Sequence, residues 1–165
     1  MGRFISGERP WRRSRRIELG ADPAAGVNWS ITVPSGRVWE VLSAFAELVT
    51  DATVANRAAR LIVGDGSTTF LSIPPAGLQT ASLTYRYAWL ALGAAYQSGS
   101  GQAMALPRLV LEPGWTIGVS TEGLVAGDNW GAPRLLLLET EVKGGAVDLG
   151  ELPELYVEVV TAPSA

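Results

Sequence analysis

The chain of 165 residues has no cysteine and no histidine, and its one lysine is Lys143. Without cysteine there are no disulfides and no thiolate chemistry, and the redox compartment stays open. Without histidine the commonest general base is gone, and with it the Ser-His-Asp and Cys-His nucleophile systems and the usual zinc and copper ligands. Catalysis would have to run on Asp, Glu, Tyr or Arg. No window approaches the roughly 18 uninterrupted apolar residues of a membrane helix. The arginines near the N-terminus are followed by no apolar stretch of the kind a secretory signal carries. These absences predict a protein that is not an enzyme, holds no cofactor or metal, and has no membrane partner.

What is present reads as strand. Apolar residues make up 47% of the chain, enough for a core, and 19 glycines and 10 prolines are spread between short apolar runs. That is the distribution of many strands joined by tight turns. Residues 27–33 alternate and stop at Pro34-Ser35-Gly36. Residues 37–50 are ambiguous: Val38, Glu40, Leu42, Ala44 and Ala46 share one parity, but Trp39, Val41, Phe45 and Leu48 do not keep the other, and a 3.6 period also fits. The β-branched and aromatic start, and the turn before it, favour strand. Residues 55–64 and 68–73 flank Gly64-Asp65-Gly66-Ser67, which predicts a type I′ hairpin turn. Leu83, Tyr85, Tyr87 and Trp89 alternate with Ser82, Thr84, Arg86 and Ala88, giving a strand with an aromatic face.

Further strands are expected over 104–111 (broken at Pro107), 115–121, 133–142 and 155–160. Gln97–Gln102 and Gly127–Gly131 read as loops, and Gly144-Gly145 as a turn. Residues 33–39 and 111–117 echo each other: an apolar strand end, a Pro/Gly turn, then an aromatic-bearing strand. Roughly eight or nine evenly spaced strands without an amphipathic helix predict an all-β fold, a two-sheet β-sandwich, with a jelly roll as the expected topology.

The net charge of −3 conceals a split. Residues 1–16 carry Arg3, Arg9, Arg12, Arg13, Arg15 and Arg16 against Glu8 alone, a net +5; the seven basic and fifteen acidic residues of the remainder leave −8. The first 25 residues therefore read as an extended basic N-terminal arm, with the sandwich over 26–165. Phe4, Ile5 and Trp11 lie among the arginines, so the arm combines apolar anchors with cationic forks suited to carboxylates. A solvated tail and nucleic-acid binding are alternatives, but six arginines are a small footprint and the acidic body would repel DNA. Docking on an acidic protein neighbour, such as an adjacent copy, is favoured over both.

Other candidates for chemistry have ordinary explanations. Glu139 and Glu141, like Glu151, Glu154 and Glu158, could pair as hydrolytic carboxylates, but carboxylates alternating with apolar residues usually mark the solvent face of a strand. Asp65 and the Asp128-Asn129 pair sit in glycine-rich loops that supply too few oxygens for calcium. Trp29, Trp39, Trp89 and Trp115 belong to strands. Trp130, in a glycine-flanked polar loop, is the one tryptophan to test for stacking on a sugar, with Asp128 and Asn129 beside it. This leaves a glycan-binding module as the alternative function.

The run Val33-Pro-Ser-Gly-Arg-Val-Trp-Glu-Val-Leu-Ser43, followed by Thr53-Val-Ala-Asn-Arg57, Arg60-Leu-Ile-Val-Gly-Asp-Gly66 and the later Glu112–Trp115 turn, resembles small β-sandwich structural proteins of tailed bacteriophages. The resemblance covers about residues 27–120. It implies a virion component, namely a capsid decoration, head-fibre or neck-tail accessory protein that binds capsid or tail proteins. It also implies a homo-oligomer, with a trimer favoured, held by arms that cross onto neighbours. It offers no catalytic residues. Asn56 and Arg57 would brace a turn or a contact between subunits.

Overall fold

The computed structural model describes residues 13–91 and 93–142. The expected strand at 155–160, the Gly144-Gly145 turn, Lys143, the carboxylates Glu151, Glu154 and Glu158, and the arm residues Arg3, Phe4, Ile5, Arg9, Trp11 and Arg12 lie outside the described residues. Within them the elements are β1 (Arg13–Leu19), β2 (Ser30–Thr32), β3 (Arg37–Val49), β4 (Ala58–Gly64), β5 (Thr69–Ile73), β6 (Thr84–Ala91), β7 (Tyr96–Ser98), β8 (Gly101–Leu106), β9 (Leu109–Leu111), β10 (Thr116–Glu122), β11 (Asn129–Trp130) and β12 (Arg134–Glu141). A large sheet runs β1-β12-β3-β6-β8-β7, with β9 and β11 also on β3; a smaller one runs β2-β10-β4-β5. One apolar cluster joins them, with Trp39, Tyr87, Trp89 and Leu137 from the large sheet and Leu61, Val63, Ile117 and Val119 from the small one. The fold is the expected all-β sandwich. Its strand order includes a parallel β6–β8 pair, which does not by itself define the expected jelly roll.

The 13-residue β3 is the centre of the large sheet, and its burial explains the broken alternation. Trp39 and Val41 face the core, then Ala44, Ala46 and Leu48 do so on the opposite parity. The register against β12 shifts at the same place: Leu137 faces Val41 and Leu136 faces Ser43, leaving Leu42 as the extra residue. A β-bulge inserts one residue and so exchanges the two faces of a strand. The neighbouring β6 needs no such device. Tyr85, Tyr87 and Trp89 are all buried, and the rings of Tyr87 and Trp89 stack at 5.9 Å.

Two turns share one construction. Arg37 donates its N–H to the Pro34 carbonyl and Trp115 to that of Glu112, with Gly36 at φ 71° and Gly114 at φ 84° in the third position. That is type II geometry, which requires a positive φ there. The two turns lie side by side, joined by Val33 N–H to Trp115 O at 2.8 Å and Gly114 N–H to Val33 O at 2.9 Å. The Asp65 turn differs from the expected type I′, because Asp65 is not at positive φ and only Gly66 is, at 91°. Instead the Asp65 carboxylate accepts from the N–H groups of Ser67 and Thr68 and from the Ser67 hydroxyl. Gln97–Gln102 is likewise more ordered than a loop: β7 and β8 pair across it, with Gly99-Ser100 as the turn.

The run Leu135–Leu138 serves both faces of β12. Leu135 and Leu137 are fully buried, whereas Leu136 and Leu138 are only half-buried on the far side. Truncating Leu137 to alanine is expected to cost about 2–5 kcal/mol, whereas Leu136→Ser should cost about 1 kcal/mol or less. Urea denaturation of the two variants checks the assignment of faces.

Candidate interaction surface

The basic segment is not an arm over its whole length. Residues 13–19 form β1, paired antiparallel along β12 from Arg13↔Thr140 to Leu19↔Arg134. The correction has an electrostatic cause: the arginines find carboxylates on the same chain. Arg13 donates to Glu40. Arg16 reaches Glu18 at 2.7 Å and Glu139 at 3.3 Å. Arg15 makes no ion pair among the described residues. Strand alternation puts Ser14, Arg16 and Glu18 opposite Glu139, Leu137 and Leu135 on the inner side. Arg13, Arg15, Ile17 and Leu19 lie on the outer side.

Glu139 is also not on a solvent face. It is 5% exposed, in line with Leu135 and Leu137, and accepts from Trp39 Nε1 at 3.0 Å and from Arg37 Nη1 at 3.4 Å as well as from Arg16. This closes the rim of the core with a satisfied carboxylate. Glu141 pairs with Arg37 at 3.5 Å. The two carboxylates are used by arginines, not by each other.

The outer face of the large sheet is the feature that the sequence reading missed. Reading across the register, one row holds Ile17, Leu136, Ser43, Leu90 and Ala105; the next holds Leu19, Arg134, Phe45, Ala88, Ala103 and Tyr96. Ile17 and Leu19 are each 65% exposed and Tyr96 64%. Charged rows flank this band: Arg15, Glu40 and Arg108 on one side, Glu47 and Arg86 on the other. Where the bulge displaces Leu42, a notch of about 260 Å³ opens, lined by Leu42, Ala91, Leu106, Glu40 and Arg108. An apolar centre inside a charged rim is the anatomy of a protein interface. The uninterrupted Leu135–Leu138 run was the available signal, since a strand apolar on both faces reads as one covered on both.

The possible ligand loop is part of the core. Trp130 is 0% exposed, packs against Tyr87 with ring centroids 5.2 Å apart and planes tilted by 56°, and donates Nε1 to Thr121 Oγ1 at 3.2 Å. Asp128 is also fully buried, and only Asn129 is exposed, opposite Val49 in β11. Neither Asp128 nor Trp130 is open to a sugar. The buried partner is Arg57, whose Nε and Nη2 reach the two Asp128 oxygens at 2.9 Å each. Arg57 also donates to Asp51 at 3.1 Å and to the carbonyls of Thr53 and Ala55 at 2.9 and 2.7 Å. All of this braces turns.

Burial by itself would raise the Asp128 carboxyl. Hydrogen bonds from Arg57 and from the N–H groups of Val125 and Asp51 outweigh it and hold the group below the usual carboxylate range. The hydrogen bond to Asp128 likewise outweighs burial and raises Arg57. Gln79 extends the brace: its backbone pairs with Arg57, while its side chain donates to the Leu48 and Leu83 carbonyls and accepts from the Tyr87 hydroxyl. Burial raises the Tyr87 phenol, which keeps it a donor.

Among the described residues no three metal-ligating side chains gather as a metal ion would need. No protein-family model, curated protein or solved structure matches the chain.

Removing one partner of a buried ion pair strands the other, so Asp128→Ala and Arg57→Ala should each cost about 3–5 kcal/mol, read as a loss in urea midpoint. Asp128 is ionised more readily in the folded chain than at the unfolded value of about 3.9. Its contribution is therefore complete above that value and is lost as pH falls through the lower folded one. Asp65, brought down to about 2 by the Ser67 hydroxyl and the N–H groups of Thr68 and Ser67, acts in the same direction. Stability should hold from pH 7 to about pH 5 and fall below about pH 4. Asp128→Asn should flatten that fall in denaturation series across pH.

Proposed function

We propose that the chain is a structural protein of a tailed-bacteriophage virion, an accessory, decoration or neck-tail component that binds capsid or tail proteins and copies of itself. The observation that carries this reading is the apolar band on the outer face of the large sheet. Soluble antiparallel sheets usually turn polar side chains to water on the face that covers no core, and contiguous exposed apolar surface marks a contact site. Here its two rows cross five and six strands, broken only by Ser43 and Arg134, and are edged by charges of both signs. The loose motif resemblance to phage β-sandwich proteins supplies the virion setting, the homo-oligomer and the preference for a trimer.

The basic N-terminal residues fit the same reading in a divided form. Arg13 and Arg16 hold β1 on its own sheet, and the residues before them remain the proposed contact to a neighbour. A ligand-binding role for the Asp128-Trp130 loop has lost its support, because the residues that would touch a sugar are buried.

Light scattering of the wild-type protein should give a homo-oligomer, and the protein should co-sediment with capsids or tails of its phage. Leu90→Arg, in the centre of the band, should weaken both at least tenfold without moving the melting temperature. A monomer that binds neither capsid nor tail preparations overturns the reading.

A further inference from the structure

The outward edge of β1 is a second contact surface. Gly20 donates its N–H to the Pro133 carbonyl at 2.9 Å, just beyond the Leu19↔Arg134 pair. Hydrogen-bonded and non-bonded pairs alternate along antiparallel strands, so the even-numbered residues of β1 bond to β12. The N–H and C=O groups of Arg13, Arg15, Ile17 and Leu19 then point away from it, and no other strand among the described residues takes them. Edges that stay single are blunted by proline, a bulge or unmatched charge. The strand β1 has no proline, pairs with β12 without a register shift, and leaves Ile17 and Leu19 exposed.

Its charges are matched when the added strand is another β1. Two copies that share their outward groups around a two-fold axis place that axis beside one residue of the strand. Like charges directly opposed are destabilising. Centring on Arg15, Arg16 or Glu18 sets that residue against itself, and centring on Ser14 sets Arg13 against Arg15. Centring on Arg13 or Leu19 leaves almost no overlap. Centring on Ile17 sets Ile17 against itself and Arg15 against Leu19 on the outer side. On the inner side it sets Arg16 of each copy opposite Glu18 of the other. Arg16 and Glu18 already lie 2.7 Å apart within one chain, so the contact closes a ring of alternating charges. The two-fold of an antiparallel pair stands perpendicular to the sheet, which keeps both outer faces on one side. The apolar row through Ile17, Leu136 and Leu90 then runs on into its counterpart.

We propose that β1 pairs with β1 of a second copy in the antiparallel register centred on Ile17, joining the two large sheets into one. This rests on the assembly reading above and names a contact between copies. Being two-fold, it adds to any symmetry that the apolar band sets.

The absence of cysteine lets oxidation read the register. In a hydrogen-bonded antiparallel pair the Cα atoms are about 5.5 Å apart, within the span of a disulfide. Ile17→Cys, oxidised with copper phenanthroline, should form a covalent dimer at least tenfold above Leu19→Cys. Leu19 is equally exposed, but its two copies would stand roughly 13 Å apart along the strands. Leu19→Cys mixed with Arg15→Cys should recover the cross-link. Ile17→Pro removes an outward N–H and no bond to β12, a placement that edge strands tolerate. It should halve the mass of the oligomer in light scattering and leave the melting temperature nearly unchanged. The proposal is overturned if Ile17→Cys does not exceed Leu19→Cys, or if a folded Ile17→Pro chain keeps the full mass; should that variant unfold, the cross-link alone decides. Light scattering of the wild-type protein separates the two claims: oligomers without this cross-link remove only the β1 contact, and a monomer removes the assembly reading as well.

Discussion

A guanidinium cut off from water has to find all of its compensation inside the protein, and Arg57 does so where the β3–β4, β5–β6 and β10–β11 connections between the two sheets converge. Asp128 meets it with both oxygens, Asp51 with one, and two carbonyls take further donors. These partners lie on two connections: Asp51, Thr53 and Ala55 between β3 and β4, and Asp128 in the turn leading into β11. Gln79 carries the network across to the large sheet through Leu48, Leu83 and Tyr87. The apolar layer alone would hold two sheets together without fixing how their connecting turns sit. The buried charge supplies that, because leaving any member unpaired is costly.

With that end closed, the sandwich presents two unlike surfaces. Its interior is satisfied by aromatics and aliphatics and ends at Glu139, a carboxylate shared by Trp39, Arg37 and Arg16. The outer face of the large sheet is left with half-exposed leucines, Phe45 and Tyr96. The small sheet has no comparable run. Such an asymmetry is the reverse of what a free-standing sandwich needs and suits a subunit that finishes its burial against another protein.

The fold was legible where neighbours in sequence carry the information. Tyr85, Tyr87 and Trp89 alternate plainly, and Pro34-Ser35-Gly36 and Pro113-Gly114 announce their turns. The site was much less legible, because its determinants are distant along the chain. Gly127-Asp-Asn-Trp-Gly131 has the composition of an exposed loop, and what buries it is Arg57, 71 positions earlier. Residues 13–19 look like self-repelling coil until Glu40 and Glu139 are placed beside them, 27 and 123 positions away. Local periodicity reports which side chains could be covered; it is silent on where a charge will find its counter-charge.

The bulge at Leu42 has a consequence for how this chain finds its register. A straight β3 could satisfy the core with Trp39 and Val41, or with Ala44, Ala46 and Leu48, but never with both sets. Sliding the strand by one residue only exchanges which half is wrong. The central strand is thus keyed like a lock with two offset wards, and of the simple slips a pairing could make, none turns smoothly. For a protein this rich in strands, that keying guards against pairing with a wrong edge while the chain is still folding.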